Sequence, residues 1–514
     1  PRPSHLHQSE AAEAVASPPR RQFFKASAAV AGVAATAALA GCGGGNAIAA
    51  ETAPEGVGQP GRRTLIRGGA VLSMDDAVGN FAVGDVLLEG KTIVAVGPNL
   101  SAPGAAVIDA TGMVVMPGFI DTHHHLTQSF GKALAFGEPS EIFRRIWVPL
   151  EQHLDEEGLN LSASLAALEA LRGGFTTVCD AGTRSAHGLR AIEAAVHATG
   201  IRCVLARICN DAGLDDDAGR QIEREAEQHL AASHPGGLLH ASLGISIPEA
   251  ASDRMLERVA RLCRDAGVAF QVHLNEHLAS IERSLIARGL RPLEVLHRAG
   301  ALGPELLAAH ATMVTPREIG LLRDSGAAVS YNPVASSWKG NAVAPALLMH
   351  GLGIRMGLGT DGTRSDGFRL MDAAETAQRL TSGMDIGDFS TGAGWTWLSM
   401  ATAAGADAAG LSRVTGRIAT GLAADGLVID LDVPELTPSW DLGWELVRLA
   451  HRSQIEAVLV QGRVRLWQGW PLDWDARALM ARAREKAQQA VAAAPIQRIH
   501  PTSGAARQAH PPRG

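Results

Sequence analysis

The side chains best suited to bind a metal or move a proton stand at the ends of apolar runs: His123 and His125 after VVMPGFID, His273 and Glu276 in QVHLNE, His310 in LLAAH, and Asp361 in GIRMGLGTD. Short apolar runs of this kind read as buried strands, so each polar group falls where a strand gives way to a loop. Side chains at i and i+2 share one face of a strand. His123 and His125 can therefore present two imidazoles to one ion, while His124 points away. His273 adds a third nitrogen and Asp361 a carboxylate. That shell suits one divalent transition metal per chain, Zn²⁺ or Fe²⁺, with a position left open for water. A metal so held lowers the pKa of water from about 16 to near 7, and Asp361 and His310 are placed to accept and orient the protons released. Glu276, three residues past His273, stands beside the metal and can carry a proton to substrate and leaving group. Taken singly, Glu276 reads as a solvated loop carboxylate, His310 as a packed histidine, and one His-x-His pair as chance in a chain with 19 histidines. The ordered series of strand ends makes them a site.

Such a series needs a scaffold that brings several strand ends to one face. The 514 residues, 46% hydrophobic and 19% charged, are enough for a large barrel and an accessory domain. The middle of the chain alternates apolar runs with amphipathic stretches, predicting strand ends near Met116, Val178, Ala206, Gly244, Val272, Ala308, Ser330 and Leu358, and helices such as 160–172, 252–266 and 316–325. That alternation predicts a (β/α)₈ TIM-like barrel over 115–412, whose chemistry sits at the strand C-termini. The interval 126–157 is an insertion over the site. On either side the pattern is β-type only, in TLIRGGAVLSM and DVLLEGKTIVAVG before the barrel and GLVIDLD and IEAVLVQGRVRLWQG after it. Segments 62–114 and 413–470 thus form a small β-sandwich domain built from both chain ends. A terminal helix over 471–494 and a polar, Pro-rich, disordered tail over 495–514 follow.

A formal net charge of −7 and no basic footprint argue against nucleic acid as a partner. The five cysteines include no C-x-x-C pair, so neither a zinc ribbon nor a disulfide framework is indicated. Cys179, Cys203, Cys209 and Cys263 read as small core residues. The first segment, 1–42, resembles a twin-arginine export signal ending in a lipoprotein processing box. It carries Arg20-Arg21-Gln22-Phe23-Phe24-Lys25, an Ala-rich stretch to Ala40, then Gly41-Cys42, with Pro19 where that family prefers Ser or Thr. The resemblance implies a periplasmic protein held to a bacterial membrane only through lipid on Cys42, with 43–61 as a flexible tether. A buried helix or a membrane span are the plainer readings of the same stretch, which is short for a hydrocarbon core of about 30 Å.

From about Thr64 to Gly469 the chain resembles the amidohydrolase superfamily, and within it the deaminase and chlorohydrolase branch. The resemblance is carried by PGFIDTHHH, the H-x-x-E of His273 and Glu276, AAH at 308–310, NP at 332–333, GLGTDG at 357–362 and GLAAD at 421–425. It implies hydrolytic deamination of a small amino-substituted N-heterocycle such as an oxopurine, pterin or triazine. Cleavage of an amide C–N or a C–Cl bond on the same mononuclear site is the alternative, and a non-catalytic scaffold a third. Many two-metal members bridge their ions with a carboxylated lysine on a mid-barrel strand; here no lysine lies between Lys132 and Lys339, which favours one metal. Gln128 follows His125 by three, as in guanine-type and related oxo-heterocycle deaminases, where the resemblance implies contact of the amide with the substrate ring. Arg207, ending the third strand, can face an oxo group or carboxylate, or form a rim ion pair. Two features depart from the branch: Asn332-Pro333 is followed by Val334-Ala335-Ser336 in place of x-Ser-Asn, and LGISIPEA lacks the Pro-Arg pair of guanine deaminases. The sequence leaves homo-oligomerisation open.

If the arginine pair and Cys42 act as read, Arg20→Lys with Arg21→Lys leaves precursor in the cytoplasm, and Cys42→Ala releases the protein from membranes. Fractionation followed by immunoblotting checks both, and unchanged membrane association of the two variants would remove the export reading.

Overall fold

Two sheets divide the strands, and the chain enters the second at a single glycine. In the computed structural model, residues 53–499 are described, apart from 58, 60–61, 139–140, 186–187, 233–235 and 388–390. The expected signal, Cys42 and most of the expected tether lie outside the described residues. The tether's last part behaves otherwise than expected: Val57 is buried in the core of the β domain.

The first sheet begins with β1 (Thr64–Val71), β2 (Phe81–Glu89), β3 (Thr92–Gly97), β4 (Ala106–Asp109) and β5 (Met113–Pro117). β1 pairs antiparallel with β2 and parallel with β4 and β5. The barrel strands follow: β6 (Phe119–His124), β7 (Phe175–Asp180), β8 (Arg202–Ile208), β9 (Leu239–Ile245), β10 (Phe270–Leu274), β11 (Leu306–His310), β12 (Ala328–Tyr331) and β13 (Arg355–Leu358). They form one parallel sheet in sequential order from β6 to β13. Closure comes just beyond β13, where the Asp361 N–H donates to the His123 carbonyl at 2.9 Å. The chain then returns to the first sheet as β14 (Gly426–Asp430), β15 (Ile455–Val460) and β16 (Arg463–Trp467), with β14 antiparallel to β5. A bridge between Thr92 and Ala423 joins β3 to the segment before β14. The sheet is thereby folded back on a core drawn from both chain ends, including Ile66, Val86, Ile93, Val428 and Leu459.

The observed ends of β7 to β13 lie within two residues of the sequence expectation. The first strand differs: Met116 belongs to β5 in the β domain, and the first barrel strand runs on to His124. Gly118 explains the step. A Cβ there would stand 2.1 Å from a methyl carbon of Thr176, so only glycine lets the chain pass from one sheet to the next at this point. Expected helices appear as Glu156–Arg172, Asp253–Ala266 and Pro316–Ser325, started by Asp155, Ser252 and a Thr315/Glu318 capping box. Phe119 packs edge-on against Phe175 and Phe368 at centroid distances of 6.0 and 5.3 Å, each ring contributing about 1.5–3 kcal/mol by burial. The terminal helix spans Ala476–Ala493. Beyond it, residues 495–499 do not lie free as expected: the Gln497 N–H donates to the Arg145 carbonyl and the Ile499 N–H to Glu138. Among the described residues no helix is long and apolar enough to cross a membrane.

The GLAAD segment ends in Asp425, which ties the β domain to the barrel floor. Its Oδ2 accepts from Arg202 Nε at 3.0 Å and Nη2 at 2.9 Å, and its Oδ1 from the Gln461 N–H at 2.7 Å. Both partners are almost wholly buried, at 1% and 0% side-chain exposure. Breaking such a pair strands a charge, so Asp425→Ala lowers unfolding stability by about 3–5 kcal/mol. Urea denaturation checks this, and Arg202→Met combined with Asp425→Leu recovers much of the loss.

Candidate metal centre

The barrel seam builds the centre. Midway along β6 the buried Asp121 carboxylate accepts the Thr360 N–H at 2.9 Å, the Thr360 hydroxyl, and the His123 N–H at 3.2 Å. These bonds fix β6 against the chain leaving β13 and set His123 beside Asp361. A Cβ on Gly359 would lie 2.2 Å from Asn332 Oδ1 and 2.5 Å from Ser330 Oγ, so the glycine of GLGTD is required by close approach. His310 and Asp361 have left-handed backbones, with φ of 76° and 58°. Non-glycine residues in that region cost about 1–3 kcal/mol each and concentrate at functional sites.

Ligand-type atoms of His123, His273, His310 and Asp361 all lie within 4.8 Å of one another. His125 joins them: its Nε2 is 3.2 Å from His273 Nε2 and 3.3 Å from Asp361 Oδ1, while His123 Nε2 is 3.4 Å from the same oxygen. His124 turns away to Ser365 Oγ at 3.1 Å. Second partners decide which nitrogens are free to coordinate. His273 Nδ1 donates to the Ser246 carbonyl at 2.8 Å, since a carbonyl can only accept, leaving the Nε2 lone pair facing the cluster. His310 is the reverse case. Asn332 Nδ2 stands 3.1 Å from its Nδ1, and the Ser330 hydroxyl on Asn332 Oδ1 at 2.9 Å sets the amide that way round. His310 Nδ1 therefore accepts, and its Nε2 carries the proton, 3.8 Å from Glu276 Oε2. The geometry thus separates three imidazoles with nitrogen available (His123, His125, His273) from a fourth that presents N–H.

Burial pushes His310 down to about 4 and His124 to about 3, and takes His125 and His273 below the ordinary histidine value, with neighbouring imidazoles adding to the effect. The rings are neutral at pH 7, the form that binds a metal. Burial favours the neutral acid of Asp361, but the Lys339 ammonium outweighs it and holds the carboxyl well below its usual range. For Glu276, too, burial raises the carboxyl, and His310 and Lys339 more than reverse it.

The residues fit one transition metal: His123 Nε2 is buried without a hydrogen-bond partner, and three imidazoles with one carboxylate are a donor set suited to zinc or iron. Glu276 stands outside that set. Its Oε1 accepts from Lys339 Nζ at 2.8 Å and Asn341 Nδ2 at 3.3 Å.

Lys339 was not foreseen from the sequence beyond its bounding the lysine-free interval. It is the last residue of the short helix Pro333–Lys339, which starts at Asn332, and its ammonium reaches Asp361 Oδ2 as well as Glu276. Trp147 and Trp338 flank it at 5.6 and 5.8 Å, and Trp147 comes from the insertion after β6. No periodicity marks this lysine; only the fold brings it to the carboxylates. Ser246, Asn332 and Asp121 were likewise silent as partners of the histidines. Gln128 is buried in the short helical turn Leu126–Gln128, and its amide makes no hydrogen bond to another described residue. Arg207 is not brought to the cluster. It pairs with Glu225 of the helix Asp216–Ala231, the rim ion pair that was its alternative reading.

An amidohydrolase-family model matches residues 114–465. A 5-methylthioadenosine/S-adenosylhomocysteine deaminase of Pelotomaculum thermopropionicum is 29% identical over 82% of this chain and 98% of its own. The corresponding protein of Desulforudis audaxviator is 30% identical over 78% and 93%, and a 5'-deoxyadenosine deaminase of Methanosarcina mazei 29% identical over 83% and 98%. A zinc-bound adenosine deaminase from Xanthomonas campestris superposes with a TM-score of 0.75 at 24% identity, covering 84% of this chain and 99% of that one. A zinc-bound atrazine chlorohydrolase variant from Arthrobacter aurescens gives 0.72 at 23%, covering 82% and 100%. These likenesses establish the same fold.

With the four ligand candidates on one ion, purified protein carries close to one transition metal per chain, and His273→Ala loses most of it. Elemental analysis of dialysed protein checks this; two tightly held metals per active chain would contradict a mononuclear centre.

Proposed function

The chain belongs to the amidohydrolase family and is a hydrolase of carbon–nitrogen bonds other than peptide bonds, and on that premise we propose that it is a metal-dependent hydrolytic deaminase of an amino-substituted N-heterocycle. The observation that carries this reading is the division of labour around Glu276. Three imidazoles with free nitrogen and Asp361 converge, while Glu276 stands beside them, hydrogen-bonded and not among the ligands. The metal, Zn or Fe, supplies the Lewis acidity that lowers the pKa of water.

His123, His125, His273 and Asp361 hold it. Asp361 Oδ2 and the His310 Nε2–H are the groups that orient the nucleophile: a carboxylate oxygen to take a proton, an N–H to donate a hydrogen bond. Glu276 passes a proton from the nucleophile to a ring nitrogen of the substrate and then to the departing amine, which leaves as ammonia. Lys339 keeps Glu276 and Asp361 pointed at the same space. Gln128, three residues from His125 and with an amide that makes no hydrogen bond to another described residue, is the substrate-side donor and acceptor. Curated relatives named for adenosine-type amines support the chemistry. The oxopurine, pterin or triazine class is the finer part of the proposal, and an ammonia-release screen of metal-analysed protein against those amines tests it. Chloride release without ammonia would favour the displacement chemistry instead. Export and a lipid anchor at Cys42 belong to the same proposal and rest on the Arg20-Arg21 segment.

A proton shuttle and a metal ligand fail differently. Glu276→Gln keeps shape and hydrogen bonding but removes the ionisable proton, so metal content persists while turnover falls at least about 10²-fold. His273→Ala loses metal and activity together. Parallel metal analysis and steady-state kinetics separate the two, and near-normal turnover in Glu276→Gln would return that residue to an ordinary loop carboxylate.

A further inference from the structure

A second polar constellation lies beside the metal centre, on the side of His125 and His273. Glu151, in the insertion after β6, is buried to 2% side-chain exposure. Its Oε1 accepts from the Thr127 hydroxyl at 2.6 Å and the Thr183 hydroxyl at 2.8 Å, which fixes the carboxylate. Thr127 is two residues past His125, and Thr183 follows β7. Arg184, next in the chain, places its guanidinium over the Phe143 ring at 4.3 Å and donates from Nη2 to Ser246 Oγ at 3.2 Å. Ser246 is the residue whose carbonyl holds His273. Both planar groups are thus clamped by residues adjoining two of the metal ligands.

One atom of each makes no hydrogen bond. Arg184 Nη1 and Glu151 Oε2 form an ion pair at 3.7 Å, beyond hydrogen-bond range, and both are buried without a hydrogen-bond partner. A buried donor or acceptor left unsatisfied costs about 1–3 kcal/mol, more when charged. The pair offers one donor and one acceptor, side by side and rigid. Its complement is a flat group with an acceptor next to a donor. A ring lactam, C=O beside N–H, is that group: the oxygen takes the Arg184 N–H and the ring N–H gives to Glu151. Gln128, next in the chain to the Thr127 that holds Glu151, also suits an oxo-bearing ring.

Resting on the deaminase reading, we propose that Arg184 and Glu151 determine specificity by gripping the lactam edge of the substrate ring, so that the preferred substrate is an amino-heterocycle carrying an oxo group beside a ring N–H. A site built to pair such polar atoms rejects the analogue that lacks them, because its own groups then stay unpaired. Neither residue touches the reacting carbon; they act on which ring is held there.

The test compares isocytosine, which has the amine and the lactam edge, with 2-aminopyrimidine, which has only the amine. Wild-type enzyme should prefer isocytosine in kcat/KM by at least about 10²-fold. Arg184→Met should reduce that preference to tenfold or less, mostly through the KM of isocytosine, with metal content unchanged. Arg184→Lys should restore part of it, and Glu151→Gln should weaken it without disturbing the fold. An unaltered preference in Arg184→Met, or equal losses for both amines, would overturn the proposal. So would a loss confined to 5'-deoxyadenosine and absent from its dideoxy analogue, which would assign the pair to sugar hydroxyls. If no amine releases ammonia, the deaminase reading fails on its own, and calorimetric binding of the same two rings to metal-loaded protein still decides. Preference for isocytosine that disappears in Arg184→Met supports the grip, and equal binding of both rings refutes it.

Discussion

The seam between β6 and the chain leaving β13 is the constraint on which the rest depends. Asp121, midway along the first barrel strand, is bound by the Thr360 N–H and hydroxyl, and the Asp361 N–H closes the ring onto the His123 carbonyl. Burial pushes the Asp121 carboxyl up to about 7, against the pull of the Thr360 bonds. The segments that close the barrel also carry His123 and Asp361, two of the ligand candidates. Closure and site geometry share one set of bonds, so these two residues cannot drift apart without opening the sheet. The left-handed backbone at Asp361 is held there by that closure.

Burial then sets the chemistry. Taking imidazoles out of water disfavours their charged form, and crowding several together disfavours it further. The result is a cluster of neutral rings whose outer nitrogens are assigned by neighbours: a carbonyl for His273, an amide for His310. Those partners divide otherwise similar histidines into rings with a free nitrogen and one that bears N–H. Carboxylates in the same space would be neutral by burial alone. The Lys339 ammonium keeps Glu276 and Asp361 ionised, and so sustains the acceptor that a proton shuttle needs.

Around this centre the insertion after β6 does for the substrate side what the seam does for the metal. Trp147 and Glu151 come from it, and the aromatic contact of Trp147 with Trp338 links it to the helix that ends in Lys339. Groups from the first, second, fourth and seventh βα connections thus meet around one cluster of imidazoles and carboxylates. Arg207, on the third, is held apart by Glu225.

By itself the sequence determined the barrel, the β domain assembled from both ends, and the convergence of His123, His125, His273, His310, Glu276 and Asp361, because each of these is written in local pattern. Apolar runs mark strands, i and i+2 mark a shared face, and a polar residue ending a buried run marks the catalytic rim. Where one sheet gives way to the other was not legible: Met116 and His124 lie on one continuous β-type stretch, and the crossing at Gly118 is imposed by Thr176 from another strand. Lys339, Arg184 and Glu151 were not legible as site residues, since a single cation or carboxylate carries no period. Which nitrogen each histidine presents was beyond the sequence as well. These were decided by tertiary structure alone, because a protonation state and a hydrogen-bond partner are set by what lies within about 3 Å in space, whatever the distance along the chain.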